Sequence, residues 1–138
     1  MLTNEQKAVA LQLTADLCRE FEGFSADPYK CPAGVWTIGY GFTRYENGKA
    51  VTPTDPAMSK EQAANLLQHQ LLRYQAGVLT HCPGIDSVPL LAACTDLAYN
   101  IGVTAFGKST LCRYINEGRP LAEIAAQFRK WVRAGGVV

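Results

Sequence analysis

The chain has 138 residues, of which 48% are hydrophobic and 18% charged, and its formal net charge is +1. Such a chain is long enough to bury a core, and its near-neutral charge argues against a nucleic-acid-binding module. No apolar run approaches the ~20 residues of a membrane-spanning helix, and the N-terminus lacks the apolar segment of a signal peptide. If the chain starts here naturally, we expect synthesis in the cytoplasm without an export signal.

The first predicted element is an N-terminal helix. Thr3 and Gln6 have the spacing of a capping box, in which the two side chains bond reciprocally to backbone amides. Apolar residues then recur at every fourth position, which marks one face of a helix; they are Val9, Leu13, Leu17 and Phe21. Glu22 closes this helix. The C-terminal end of a helix disfavours negative charge, which suits a carboxyl group that must hold a proton and then donate it.

A small antiparallel sheet is predicted over residues 24–43. Prolines and glycines divide this segment into short runs of aromatic and β-branched residues, which is typical of strands joined by turns. Asn47-Gly48 predicts a further tight turn.

The remainder of the chain is predicted to be helical. Ser59 and Gln62 form a second capping box. Apolar periodicity predicts four helices, over residues 59–80, 88–100, 109–116 and 120–132. Gly102 and Gly107 indicate a tight connection. We therefore expect an α+β, mainly helical single domain over residues 1–138. A helix and β lobe would cover about 1–58 and a larger helical lobe 59–138, with a ligand cleft between them.

Three residues have a spacing that indicates hydrolytic chemistry. Glu22, Cys31 and Thr37 follow the pattern E-x8-C-x5-T, which places an acid at a helix end and two further side chains in the predicted sheet. Two functional groups that face each other across a cleft are what hydrolysis of a glycosidic bond requires. The second group is ordinarily a carboxylate, whereas this chain has a cysteine.

The stretch resembles the phage-type lysozymes, or endolysins. Glu22-Gly23 and the segment 37–41, Thr-Ile-Gly-Tyr-Gly, match the family pattern, and Cys31 occupies its Asp position, which some members also fill with Cys. Two downstream segments match in the family's order. One comprises 98–102, 105–106 and 109–111, and the other comprises Gln127-Phe128, Trp131-Val132 and 134–136.

The resemblance implies a lysozyme-like fold and a muramidase. The enzyme would cleave the β-1,4 bond between N-acetylmuramic acid and N-acetylglucosamine in peptidoglycan. Glu22 would be the general acid, Cys31 the base, and Thr37 would orient the attacking water. The resemblance also implies substrate-binding residues, Asn100, Phe106, Ser109 and Thr110. No metal or organic cofactor is implied.

The implied biology is lysis of a host cell wall by a phage. The protein would be made in the host cytoplasm and would act on the peptidoglycan of the cell wall. Access to the wall would depend on a membrane hole made by a holin. Stable insertion into a membrane and nucleic-acid binding are not expected.

Cys31 leaves several interpretations open. It is a working thiolate, a redox-controlled residue, or a substitution that cripples the site; Asp27 is an alternative carboxylate. Cys18 lies one helical turn before Glu22, so a Cys18–Cys31 disulfide would block the site until it is reduced. The count of five cysteines is odd, and the spacings contain no CxxC pair that would indicate zinc. Cys94 and Cys112 are expected to be buried thiols.

Two alternative functions remain at this stage. The first is a catalytically impaired peptidoglycan-binding domain, and the second is a bacterial effector muramidase. The family pattern also continues past Val138 with an Arg-rich stretch, one Arg of which normally lies near the catalytic glutamate. We expect a chain without that stretch to differ in the charge state of the acid and in the closing of the helical lobe.

Overall fold

The computed structural model describes residues 1–135, with the backbone alone for residues 132–135. The elements in chain order are α1 Asn4–Glu22, β1 Ser25–Lys30, β2 Trp36–Gly39, α2 Lys60–His81, α3 Val88–Ile101, α4 Val103–Gly107, α5 Thr110–Asn116 and α6 Leu121–Gly135. The predicted class, α+β and mainly helical with a small antiparallel sheet, is confirmed. The sequence did not predict α4, a short helix that occupies the expected tight connection between Gly102 and Gly107.

The chain forms two compact units. The sheet unit is Ala15–Leu71, which contains β1 and β2. The helical unit combines Met1–Thr14 with the chain from Leu72 onward. Helices α1 and α2 each contribute residues to both units, because the unit boundaries fall inside them. None of the helices described over residues 1–135 is both long enough and apolar enough to cross a membrane.

The sheet is a two-stranded antiparallel hairpin. Tyr29 pairs with Thr37, and Ser25 pairs with Gly39. The register shifts between Ser25 and Tyr29, and this irregular stretch contains Pro28, which has no N–H to donate to a strand ladder. The core of the sheet unit is formed by buried apolar side chains, namely Ile38, Tyr40, Phe42, Val51, Met58, Ala63, Leu66, Leu67 and Leu71.

The loop between β2 and α2 is held by polar contacts. An isolated bridge between Arg44 and Ala50 closes the predicted turn at Asn47-Gly48. Beyond it, the Asp55 carboxylate accepts hydrogen bonds from the Tyr45 hydroxyl at 2.7 Å and from the Thr52 backbone amide and hydroxyl at 2.9 and 2.6 Å. The bonds from Thr52, then that from Tyr45, hold the pKa of Asp55 below its usual value.

The helical unit has an apolar core that includes three cysteines. Cys82, Cys94 and Cys112 are each at most 2% exposed, which confirms the expected burial of Cys94 and Cys112. Burial, followed by the nearby Cys112, raises the pKa of the Cys82 thiol to about 12. Burial likewise raises the pKa of the Cys94 thiol. The Cys82 and Cys94 thiols are therefore protonated packing groups near neutral pH.

Helix α1 buries a face other than its apolar stripe. The predicted capping box is confirmed. The backbone amide of Gln6 donates to Thr3 Oγ1 at 3.1 Å, and the backbone amide of Thr3 donates to Gln6 Oε1 at 2.8 Å. Three of the four stripe residues are nevertheless exposed: Val9, Leu13 and Phe21. Small residues are buried instead, namely Ala10, Thr14, Ala15 and Cys18.

The burial of Thr14 has a local cause. Its hydroxyl donates to the Ala10 carbonyl at 2.8 Å, so no polar group is left unsatisfied when this face packs.

Helix α6 extends beyond its predicted end at about residue 132, to Gly135. The last segment that matches the family pattern, which ends at residue 136, is only partly covered by the described residues. The side chains of Val132 and Ala134 and the whole of Gly136 are outside the described residues.

Candidate functional site

Glu22 is the last residue of α1, as predicted. Gly23 follows it with φ 67°, the left-handed conformation with which glycine commonly ends a helix. The Glu22 side chain is exposed and lines an open cavity of about 330 Å³ together with Phe24, Ser25 and Tyr29. A carboxyl group in this position is accessible to a ligand.

The Glu22 carboxylate lies close to Gly41, in the segment 37–41. A Cβ atom added to Gly41 would lie 2.8 Å from Glu22 Oε2, closer than non-bonded atoms approach. Gly41 also has φ 82°, in the left-handed region that side chains with a Cβ disfavour. The positive φ therefore favours glycine at this position, and a side chain there would displace the Glu22 carboxylate.

Cys31 begins the connection between β1 and β2. The segment Cys-Pro-Ala-Gly over residues 31–34 has proline second and glycine fourth, which is typical of a type I turn. The Gly34 amide donates to the Cys31 carbonyl at 2.8 Å, and the Cys31 amide donates to the Val35 carbonyl at 3.0 Å. Cys31 is thus held by backbone bonds at the mouth of a tight hairpin loop, and its side chain is partly exposed.

The backbone of the hairpin loop acts on the thiol of Cys31. Hydrogen bonds from the backbone of Val35, then of Ala33, hold the pKa of the Cys31 thiol below its usual value, while partial desolvation opposes them. Such donors favour the charged form of an acid because they stabilise the anion. Cys31 is accordingly the cysteine with the most thiolate character among those whose pKa is shifted.

Thr37 is buried on β2, with 3% of its surface exposed. Its hydroxyl donates to the Val35 carbonyl at 2.9 Å. Because a hydroxyl has one hydrogen and two lone pairs, a bond to Val35 leaves the oxygen able to accept from another group. In the hairpin register Tyr29 pairs with Thr37, so Thr37 and the start of the Cys31 loop lie at the same end of the sheet.

The sheet unit contains Glu22, Cys31 and Thr37, whereas the four predicted substrate-binding residues belong to the helical unit. Asn100 is exposed on α3, and its side-chain amide donates to the Asp96 carbonyl at 2.9 Å. Phe106 is fully buried in the helical core, so its side chain presents no surface to a ligand.

Ser109 and Thr110 line a second open cavity, of about 440 Å³. Ser109 is the N-cap of α5, where its hydroxyl accepts from the Cys112 amide at 3.1 Å and donates to the Phe106 carbonyl at 2.6 Å. Lys108, Arg113 and Glu117 line the same cavity, and Arg113 Nε lies 3.8 Å from a Glu117 carboxylate oxygen.

The hypothesised Cys18–Cys31 disulfide is not formed. No disulfide links any of the five cysteines, all of which lie within the described residues. Cys18 is 3% exposed and packs in the core of its unit, whereas Cys31 is in the partly exposed hairpin loop.

The described residues contain no group of three or more His, Cys, Asp or Glu side chains arranged to hold a metal ion. His69 and His81 are exposed, and His69 Nε2 lies 3.5 Å from a Glu46 carboxylate oxygen.

Two contributors to the site were not predicted from the sequence. They are the backbone groups of Val35 and Ala33, which act on the Cys31 sulfur. The Pro-Ala-Gly turn that follows Cys31 is the sequence signal for them, because such a turn directs backbone amides back toward the side chain that precedes it.

Comparison with known proteins gives a consistent family assignment. A family model described as phage lysozyme matches residues 19–138. The chain is 35% identical to an endolysin of Acyrthosiphon pisum secondary endosymbiont phage 1, over 86% of this chain and 76% of the relative. It is 33% identical to an endolysin of Bacillus phage PZA, over 92% of this chain and 48% of that protein. The chain thus spans about half the length of the latter relative.

A solved structure supports the same assignment. The endolysin from Escherichia coli O157:H7 phage FAHEc1 superposes with a TM-score of 0.80 at 29% identity, covering 87% of this chain and 74% of that one. The similarity includes the mostly helical architecture with its small sheet.

Proposed function

Because the chain belongs to the phage lysozyme family, we propose that Glu22, Cys31 and Thr37 form its catalytic site. Members of this family are peptidoglycan hydrolases, and the chain is a glycosidase of the lysozyme type whose substrate is peptidoglycan. The bond cleaved is the β-1,4 bond between N-acetylmuramic acid and N-acetylglucosamine. The observation that supports the proposed site is the close approach of the Glu22 carboxylate to Gly41. Gly41 belongs to the segment 37–41, which begins with Thr37 at the end of the hairpin where the Cys31 loop starts.

Glu22 acts as the general acid. Its carboxyl group is exposed at the end of α1 and lines an open cavity. Protonation of the glycosidic oxygen by this group makes that oxygen a better leaving group as the bond to the sugar breaks. Because Gly41 has no side chain, the carboxyl group can lie against the segment that contains Thr37.

Cys31 acts as the base in its thiolate form. Surrounding hydrogen bonds favour that form, and the thiolate takes a proton from the attacking water. Thr37 orients the water through the lone pairs left free by its bond to the Val35 carbonyl. At the end of one turnover Glu22 is a carboxylate and Cys31 a thiol, and exchange of protons with solvent restores both.

Asn100, Ser109 and Thr110 contribute to substrate binding from the helical unit. Lys108, beside Ser109 and Thr110, suits a polymer that carries carboxylates. Phe106, being fully buried, supports this region through packing. The biological role is lysis of a host cell wall, with access to the wall through a holin-dependent opening and no requirement for nucleic acid, metal or organic cofactor.

The acid assignment is tested with Glu22→Gln and a matched control, Glu20→Gln. Glu20 is also exposed near the end of α1, so its substitution removes the same charge from the same helix. We expect release of reducing ends from purified peptidoglycan to fall by at least about a hundredfold in Glu22→Gln, because a general acid contributes on that order. Glu20→Gln should turn over like the wild type. Full turnover by a folded Glu22→Gln would show that Glu22 is not the acid.

A further inference from the structure

The sheet unit contains a cavity of about 810 Å³ that has no part in the proposed reaction. It is bounded by the segments 45–47 and 55–58 and by the first turns of α2. It shares no lining residue with the cavity at Glu22, and neither Cys31 nor Thr37 lines it. Its volume lies in the range of small-molecule sites, about 300–1,000 Å³.

Part of the cavity wall is apolar. Met58 and Leu66 line it and are 8% and 7% exposed, so their side chains are fixed by the core of the sheet unit. Pro56 and Ala57 add to this surface. A ligand with a small apolar group, such as a methyl or the carbon face of a ring, would remove water from this wall.

Amide side chains supply the polar groups. Asn47 Oδ1 accepts from the Lys49 amide at 3.0 Å, and Gln62 Oε1 accepts from the Ser59 amide at 2.9 Å. Because each carbonyl oxygen is engaged locally, each NH₂ group remains to donate to a ligand. Asn65 lines the cavity from the next turn of α2.

The charge of the cavity disfavours an anion. Among the described residues that line it there is no lysine or arginine, while Glu46 and Asp55 both line it. Asp55 is held as a carboxylate by donors from Tyr45 and Thr52. A phosphate or an acidic peptide would therefore meet like charge, whereas a neutral ligand with hydroxyl groups would find acceptors.

We propose that this cavity binds an N-acetylated amino sugar, as a saccharide site additional to the catalytic one. The acetamide carbonyl accepts from the amide side chains, its methyl group packs on Met58 and Leu66, and the sugar ring lies against Tyr45. The proposal rests on the proposed function in one respect, since the glycan of peptidoglycan supplies such sugars. An additional site of this kind would retain the polymer between successive cleavages.

The test uses the full chain carrying Glu22→Gln, labelled with ¹⁵N and titrated with an N-acetylglucosamine trimer. Two variants in this background alter the cavity: Asn65→Ala removes an amide, and Ala57→Trp fills the space. Both positions are exposed, so the fold should tolerate them. Glu61→Ala is the control, because Glu61 is an exposed residue of the same helix outside the cavity.

We expect saturable shifts of the backbone amide signals of residues 45–47 and 62–66. Asn65→Ala should weaken binding at this site by roughly threefold to tenfold, as for the loss of one or two hydrogen bonds. Ala57→Trp should abolish the shifts, and Glu61→Ala should leave them unchanged. Turnover of a short soluble glycan by the Ala57→Trp chain with Glu22 intact should equal that of the wild type.

Three results would overturn the proposal. They are shifts confined to the segment 37–41, saturation by an isolated peptidoglycan stem peptide but not by the trimer, and shifts that persist in Ala57→Trp. Residual hydrolysis by Glu22→Gln would instead count against the acid assignment alone, because the cavity signals are read separately.

Discussion

Cys31 is where this chain departs most from ordinary glycosidase chemistry. An isolated thiol, with a pKa of about 8.5, is mostly protonated at neutral pH, unlike the carboxylate that such a site ordinarily carries. The hairpin loop reduces this disadvantage, since hydrogen bonds from the backbone of Val35 and Ala33 lower the pKa of the Cys31 thiol. Local backbone geometry thus offers a physical reason why cysteine is compatible with a base at this position.

Gly41 gives a prediction at the same scale. Gly41→Ala introduces a Cβ 2.8 Å from Glu22 Oε2 and imposes a left-handed φ of 82° on alanine. We expect a loss of about 1–2 kcal/mol in the free energy of unfolding from the backbone conformation. We also expect a large loss of turnover, because the Glu22 carboxylate must move away.

The control for this prediction is Gly48→Ala. Gly48 has φ 85°, with no heavy atom within 4 Å of an added Cβ. In urea unfolding, Gly48→Ala should lose about as much stability as Gly41→Ala, and yet it should retain turnover. Equal losses of turnover in the two variants would contradict a positioning role for Gly41.

At the scale of elements, the turn and capping signals predicted the structure well. Thr3 with Gln6 and Ser59 with Gln62 both form their capping boxes, because these contacts are made within one helical turn. The stripe from Val9 to Phe21 did not predict the buried face of α1. Periodicity locates an apolar face, whereas burial depends on which partners the rest of the chain supplies.

The loop that precedes α2 gives a prediction about acid stability. The pKa of Asp55 is lower in the folded protein than in the unfolded chain, so the folded protein binds fewer protons there. Its contribution is therefore fully present above the unfolded pKa and is lost as pH falls through the folded pKa. We expect Asp55→Asn to be less stable than the wild type near pH 7.

The difference in free energy of unfolding between the wild type and Asp55→Asn should shrink as the pH is lowered toward about 3. Urea unfolding followed by circular dichroism at both pH values measures it. A stability difference that stays constant with pH would show that the Asp55 charge does not stabilise this loop.

At the scale of the whole molecule, the motifs predicted the family and the fold class, both of which are confirmed. The spacing of Glu22, Cys31 and Thr37 supported this prediction together with the two downstream matching segments, because that spacing reflects one helix end and one hairpin. The single-domain extent and the roles of the site residues stay predictions. The burial of Phe106 could not be read from the sequence, since its neighbours come from distant segments of the chain.

The cavity beside Asn65 could not be predicted from the sequence either. Its walls combine two loop segments with α2, and their approach depends on the long connection between β2 and α2. The contacts of Asp55 that hold this connection are individually local, but their joint effect on the shape of the loop is not encoded by any single spacing.

The measurement that tests the central claim most directly is reducing-end release from peptidoglycan by the wild type and by Cys31→Ser, both with reductant present. Cys31→Asp serves as the control for the fold and for the charge. We expect the wild type to be active and Cys31→Asp to retain turnover. Turnover by Cys31→Ser should fall by at least about a hundredfold, because a serine hydroxyl is not ionised near neutral pH. Undiminished turnover by Cys31→Ser would contradict the role of Cys31 as the base.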